Sequence, residues 1–181
     1  WARGTGDMII ERHGQLLLNR MMGIDIWQNM RDIGTKKIRN RDFAQKVEMI
    51  VGDSEDLPFK DNTFDAITVA FGVRNFGNLD KGLKEMNRVL KKGGKLMVLE
   101  FSHPKTFPFK QIYWAYFNHV LPFFGNLISR DSAAYTYLPE SVKNFPDGES
   151  FKSRMKDAGY RTVTHRSLTF GIAGIYIGAK S

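Results

Sequence analysis

Residues 50–75 read IVGDSEDLPFKDNTFDAITVAFGVRN, and the chain is organised around them. Within this stretch, 64–71 is an apolar run rich in β-branched residues that ends on Phe71-Gly72, which predicts a buried central strand stopping at a turn. Ala70 through Arg74 and Asn75 then lie at the strand's carboxyl end, the edge of an open α/β sheet where ligands collect. The shorter apolar run 47–51 leads into Gly52-Asp53-Ser54. It predicts a second strand that delivers Asp53 to the same edge. Leu57-Pro58-Phe59 crosses back, with Asp61-Asn62 as turn chemistry.

Toward the start of the chain, Gly4-Thr5-Gly6-Asp7 precedes an apolar-rich segment, 8–18, readable as a helix that begins near Asp7 because a carboxylate suits a helix N-terminus. Residues 21–26 predict a short strand carrying Asp25 and Ile26 at its end. Residues 28–38 predict an amphipathic helix. Beyond the central stretch, 79–90 places Leu83, Met86, Val89 and Leu90 on one helical face, with Lys91-Lys92-Gly93-Gly94 as the stop. Residues 95–101, KLMVLEF, predict another strand. Strand and helix thus alternate, the pattern of an α/β, Rossmann-like, mostly parallel sheet. From about 103 to 146 the pattern gives way to an aromatic-dense insertion broken at Pro122. A last helix over 147–158 ends at Gly159, and 160–168 with 171–178 alternate like a C-terminal antiparallel hairpin. With 181 residues and no linker or repeat, 1–181 reads as a single domain.

Hydrophobic content of 42% and charged content of 25% are those of a soluble globular protein. Cysteine is absent, which removes disulfides and thiolate metal sites and fits a reducing, cytoplasmic setting. No metal site is expected. No apolar run reaches the roughly 18 residues of a membrane-spanning helix. The chain opens on Trp1-Ala2-Arg3-Gly4, a glycine-rich turn with no strand ahead of it, so a first sheet strand is read as missing. The net charge of +8 and pI near 9.7 suit either a plain basic surface or an anionic partner. The cations are scattered and no nucleic-acid motif accompanies them, so nucleic acid is not an expected partner.

Gly4 and Gly6, followed by an acid at Asp25 after a strand, have the logic of a nucleotide fold: a tight turn, close approach to a ligand, and a carboxylate about 20 residues on for ribose hydroxyls. Ordinary loop chemistry is the alternative. The glycines stand too close together for the diphosphate fingerprint, and Asp53 follows the next strand, where an adenine amino group would be read. A nucleoside without a diphosphate fits this pattern, and S-adenosyl-L-methionine is one.

The segments GTGDM (4–8), GIDI (23–26), GDSEDLPF (52–59), NTFDAITVAFGVRN (62–75), KEMNRVLKKGGKLMVLEFS (84–102) and AYTYLPESVKNFP (134–146) together resemble the class I methyltransferases of ubiquinone and menaquinone synthesis, the UbiE/MenG family. The resemblance implies that Thr5 and Gly6 face the methionine moiety, Asp25 the ribose, Asp53 and Ser54 the adenine, and Ala70 the far side of the cofactor, with Gly4 and Ile26 also in the cofactor set. It implies methyl transfer from a sulfonium to a ring carbon of a polyprenyl quinol: demethylmenaquinol, or the ubiquinone precursor 2-polyprenyl-6-methoxy-benzoquinol. The ring carbon becomes nucleophilic when the neighbouring phenol loses its proton, so a base or a phenolate-stabilising cation is needed. Arg74 is the candidate cation, with a structural salt bridge as its alternative role. Asn75 could bond a ring oxygen or cap a turn. His103 and His119 are candidate bases, or packed residues. Tyr113, Tyr116 and Tyr137 could line the ring pocket or belong to the core. Trp1, Ala70 in place of the Ser of relatives, and the segment 11–20 depart from the family pattern.

A polyprenyl tail must enter from a bilayer. An aromatic insertion flanked by Lys105, Lys110 and Arg130 suits both tail binding and peripheral attachment to an anionic membrane face, or else a cap over the sheet. A homodimer is also expected. The competing functions are a methyltransferase of the same fold with another lipophilic acceptor, and a non-catalytic domain that binds a nucleoside or a partner.

Overall fold

The computed structural model describes residues 21–25, 28–39, 44–116 and 140–181. In chain order these form strand β1 (Met21–Asp25), helix α1 (Gln28–Arg39), a 3-10 turn at Ala44–Lys46, β2 (Val47–Val51), β3 (Phe64–Ala70), a 3-10 turn at Val73–Asn75 and α2 (Leu79–Val89). There follow β4 (Leu90–Phe101), α3 (Phe109–Ala115), α4 (Glu149–Asp157), β5 (Tyr160–Leu168), a 3-10 turn at Thr169–Gly171 and β6 (Ala173–Lys180). The expected helix over 8–18 falls outside the described residues.

β1 and β2 pair in parallel, with Asp25 opposite Val51. A second sheet has the order β3-β4-β6-β5. There β3 and β4 are parallel, and β6 runs antiparallel to both β4 and β5. β3, β4 and β5 therefore point one way and only β6 opposes them, which is the mostly parallel sheet with a C-terminal antiparallel hairpin that the sequence predicts. Among the described residues β3 pairs with β4, and the residues at its carboxyl end, Val69 and Ala70, are buried.

Helix α2 shows how local sequence sets an element. Asn78 caps it by accepting from Lys81 N at 3.0 Å, which satisfies one of the orphan first-turn donors. Leu83, Met86 and Val89, three residues apart, form its buried face. The expected glycine stop is corrected. The helix ends at Val89 because Leu90 is already extended (φ −70, ψ 142), and the Lys-Lys-Gly-Gly run is part of β4. The ladder there jumps from Phe64–Leu90 to Ala66–Lys95, with Gly93 at φ +76, so the glycines serve a bulge rather than a helix cap. Arg88 clamps this corner, donating to Glu85, Asp61 and the carbonyls of Leu57 and Phe59.

The core lies between β3-β4-β6 and the pair α2/α4. Leu83, Val89, Leu90, Leu96, Val98, Phe151, Met155 and Tyr176 are all essentially inaccessible. Ile24 of β1 packs on the same cluster, which joins the small sheet to the large one. The carboxyl ends of β3 and β4 coincide, with Ala70 opposite Leu99. The chain segments that leave these ends build the site.

Candidate active site

On the β1–β2 side, parallel register puts Asp25 and Val51 at the same sheet edge, and Gly52-Asp53 continues from it. Asp53 accepts Glu55 N through Oδ1 (2.9 Å), and its carbonyl accepts Asp56 N (3.2 Å), so the chain folds back at once. Ser54 is buried in this turn while Asp53 is exposed. Gly52 sits where a Cβ would come 3.3 Å from Ile24 Cγ2 and 3.5 Å from Pro58 Cδ, so a side chain there would press on the turn. Residues 52–59, which follow the carboxyl end of β2, hold Asp53, Glu55 and Asp56 and no lysine or arginine. An edge of carboxylates accepts hydrogen bonds from ribose hydroxyls and an adenine amine, attracts a cation and repels phosphate. The donor set thus fits the nucleoside of a cationic cofactor such as S-adenosylmethionine.

On the β3–β4 side, Ala70 is buried and Phe71 turns the chain at φ +52, its N–H donating to Leu99 O at 2.7 Å. Val73–Asn75 then closes a 3-10 turn through Asn75 N to Gly72 O (3.0 Å). This geometry throws Arg74 back across the strand ends. Its Nη1 donates to Glu100 Oε1 (2.6 Å) and to Phe71 O (2.7 Å), and its guanidinium lies 5.2 Å from the Phe101 ring centre. The same carboxylate accepts Arg74 N (3.3 Å) and Phe101 N (2.9 Å). Glu100 is fully buried and the Arg74 side chain is 10% exposed. Arg74 Nε is buried with no hydrogen-bond partner among the described residues.

Two residues beyond Phe101 a second acid–base pair forms. Asp147 Oδ2 accepts His103 N at 2.8 Å and lies 3.2 Å from His103 Nδ1. This pair is 24% and 15% exposed, against 10% and 0% for Arg74 and Glu100, so solvent and ligand reach it. With Nδ1 on the carboxylate, the Nε2 of His103 makes no hydrogen bond within the described residues and can carry a lone pair. Tyr113 of α3 sits edge-on to His103 (6.4 Å between ring centres), and Trp114 lies parallel to it at 6.5 Å. Burial, with Asp147 adding to it, pushes the Tyr113 phenol up to about 12, so Tyr113 stays a neutral hydroxyl at neutral pH. Tyr116 is 47% exposed one residue beyond the end of α3.

The residues singled out from sequence therefore divide. Asp25 and Asp53 share one sheet edge with Ser54 beside them; Ala70, Arg74, Asn75, His103 and Tyr113 gather around the ends of β3 and β4. Gly4, Thr5, Gly6, Ile26, His119 and Tyr137 lie outside the described residues. Two partners escaped sequence reading. Glu100 carried a signal, since an acid inside the apolar run 95–101 must be paired if buried. Asp147 carried almost none, because Pro-Asp-Gly before a helix reads as ordinary capping.

The fold and this edge define a class I S-adenosylmethionine-dependent methyltransferase. The structure resembles a SAM-dependent methyltransferase from Thermotoga maritima (TM-score 0.66, 20% identity, covering 98% of this chain and 78% of that one). It also resembles one from Aquifex aeolicus (TM-score 0.67, 18% identity, 98% and 78%). The chain belongs to the ubiE/COQ5 methyltransferase family, whose model matches residues 1–180. It is 45% identical to the demethylmenaquinone methyltransferase of Bacteroides fragilis over 179 residues, 99% of this chain and 73% of that protein. It is 44% identical to the ubiquinone/menaquinone biosynthesis C-methyltransferase UbiE of Geotalea daltonii over 180 residues, 99% and 76% respectively.

Proposed function

We propose that this methyltransferase methylates a ring carbon of a polyprenyl quinol, with demethylmenaquinol as the acceptor or, second, the methoxy-benzoquinol precursor of ubiquinone. The observation that carries the reading is likeness to quinone-pathway C-methyltransferases along almost the whole chain. That likeness favours a quinol over a sterol or a phospholipid amine, and an enzyme over a non-catalytic nucleoside-binding domain.

When bound, S-adenosylmethionine supplies an electrophilic methyl group on a sulfonium. Asp25, Asp53 and Ser54 hold its nucleoside from the β1–β2 edge, and the buried backbone at Ala70 closes the opposite side. Gly4, Thr5, Gly6 and Ile26 complete the cofactor set in this proposal. His103 takes the phenol proton at Nε2, because Asp147 holds Nδ1 and so fixes the tautomer that leaves Nε2 as acceptor. The resulting negative charge on the quinol oxygen is stabilised by the Arg74 guanidinium and by Asn75. Tyr113 keeps its proton and offers a neutral face to the ring, with Tyr116 and Tyr137 around it. His119 is the alternative base. Peripheral membrane contact and self-association into a homodimer belong to the same proposal. Among the described residues no helix is long and apolar enough to cross a membrane.

The test is transfer of labelled methyl from S-adenosylmethionine to demethylmenaquinol in detergent micelles, with sterol and phosphatidylethanolamine as competing acceptors and the product located by mass spectrometry. A ring-methylated quinol is expected. Label appearing only in a competing acceptor would overturn the quinol assignment.

A further inference from the structure

Beyond the ends of β4, two segments distant in sequence are bound into one surface. Ser102, buried, donates from Oγ to Gly171 O (2.7 Å) and from N to Ile172 O (2.9 Å). Ile172 N closes the turn on Thr169 O at 3.1 Å. Three consecutive residues of that turn are left-handed: Thr169 at φ +48, Phe170 at +56 and Gly171 at +97. Only the glycine adopts this conformation without strain. Gly171 also needs its lack of a side chain, since a Cβ would come 3.1 Å from Pro104 Cα. The turn is thus pinned in a costly shape, and the shape exposes 68% of Phe170.

Phe170 does not stand alone. Its ring stacks on Phe109 of α3 at 4.2 Å between centres and 7° between planes, which ties the turn to the helix. Helix α3 buries Tyr113 and turns Ile112 outward, 61% exposed, with Tyr116 one turn on at 47%. Phe107, just before the helix, is 80% exposed. Large apolar side chains fixed outward on a rigid support are costly in water unless something covers them. The two segments that carry them have charges of one sign: 102–116 and 164–172 contain Lys105, Lys110 and Arg166 and no aspartate or glutamate. All three cations are exposed, and Lys105 touches the Asp147 carboxylate only at 3.9 Å.

We propose that Phe107, Ile112 and Phe170, with the exposed Lys105, Lys110 and Arg166 of the same two segments, are the docking surface of this protein for an anionic phospholipid bilayer. Apolar anchors accompanied by cations match the acyl boundary and the anionic headgroups of such a surface. An acidic protein would match the cations but leave three apolar side chains without partners. The assignment rests on the quinol reading for its purpose: the surface continues from the His103–Asp147 pair, so an acceptor with a membrane-embedded tail reaches the site from the lipid side.

The test is sedimentation of the purified protein with vesicles of phosphatidylcholine alone or mixed with phosphatidylglycerol, beside methyl transfer to two acceptors: a water-soluble quinol without a tail, and a long-tailed quinol in the vesicles. The wild type should pellet with anionic vesicles and less so at high salt. The F107S/F170S variant should lose vesicle affinity about tenfold or more, the loss of two buried aromatic anchors. It should lose turnover on the vesicle-borne acceptor while keeping it on the soluble one. Phe170→Trp should retain binding, which separates anchoring from folding. Lys105→Glu with Lys110→Glu should weaken binding at low salt only. Failure of the wild type to pellet at low salt overturns the proposal, as does unchanged pelleting of a folded F107S/F170S variant. A change of oligomeric state in the same variant without vesicles makes the surface a contact between copies of this chain and likewise overturns it. Loss of pelleting in the variant, with neither acceptor methylated by the wild type, supports the surface and sinks only the quinol reading.

Discussion

Arg74–Glu100 and His103–Asp147 are acid–base pairs a few residues apart at the end of the same strand, and burial gives them opposite uses. In the first, Glu100 is inaccessible and accepts from two backbone N–H groups as well as from Arg74. Its charge is fully employed in fixing the turn after β3. In the second, both partners are partly open and one imidazole nitrogen is left to act. A buried ion pair holds shape because breaking it strands a charge, whereas a half-exposed one can change protonation without unfolding anything.

The comparison breaks most visibly at Glu100. Glu100→Ala leaves the Arg74 charge buried and should cost about 3–5 kcal/mol of stability, read from urea unfolding. A loss within surface-mutation scatter, about 0.5 kcal/mol, would show that the pair is not part of the frame. The double replacement of Arg74 by Met and Glu100 by Leu removes both charges and should restore most of that stability. Turnover in this double variant then sharpens the assignment. Loss of the phenolate-stabilising donor should lower turnover about a hundredfold, while near-normal turnover would leave Arg74 a purely structural residue.

The other pair should fail in rate rather than in fold. His103→Gln is expected to lower turnover on the order of 10²–10⁴-fold with little change in KM or melting temperature. Asp147→Asn keeps an acceptor for His103 N but cannot fix the tautomer, so it should lower turnover by a smaller factor. If both variants turn over normally, the pair is architecture like its neighbour and His119 becomes the base to test.

On the cofactor side, Asp25→Ala should weaken S-adenosylmethionine binding by about 1.5–3 kcal/mol, the range for hydrogen bonds to a charged group, measured by calorimetry. Both pairs, and the melting temperature, should be unaffected. Unchanged affinity in a folded variant would remove Asp25 from the ribose contact.

The smallest effect concerns a third imidazole, which serves as a control. His165 stacks on Tyr176 at 4.5 Å, and its Nε2 is buried without a hydrogen-bond partner among the described residues. Burial, with Lys152 next, lowers its pKa, against an opposing pull from Asp147 and Glu149. A histidine whose folded pKa lies below its unfolded value binds its proton more readily when unfolded. Its contribution is complete above the unfolded pKa near 6.5 and is lost as pH falls toward the folded one. His165→Phe should flatten the fall in melting temperature between neutral and mildly acidic pH. It should leave turnover at neutral pH unchanged.

What the sequence determined by itself was the order of the elements and the chemistry of the edge. The periods of 64–70, 79–89 and 160–168 are local properties of the chain, and so is the Asp25–Asp53 pattern, because each acid directly follows an apolar run. Legibility failed where a residue's meaning depends on a distant partner. Lys-Lys-Gly-Gly looked like a helix stop because a bulge is defined only against the opposing strand. Nothing near Arg74 in sequence shows that Glu100, 26 residues on, takes its Nη1. Asp147 was silent until folding brought it against His103, 44 residues away, and Phe170 was an ordinary hairpin residue until its ring met Phe109. Local propensity and periodicity are written residue by residue; burial, pairing and the facing of a side chain are set by contacts between segments, and those exist only once the chain has closed on itself.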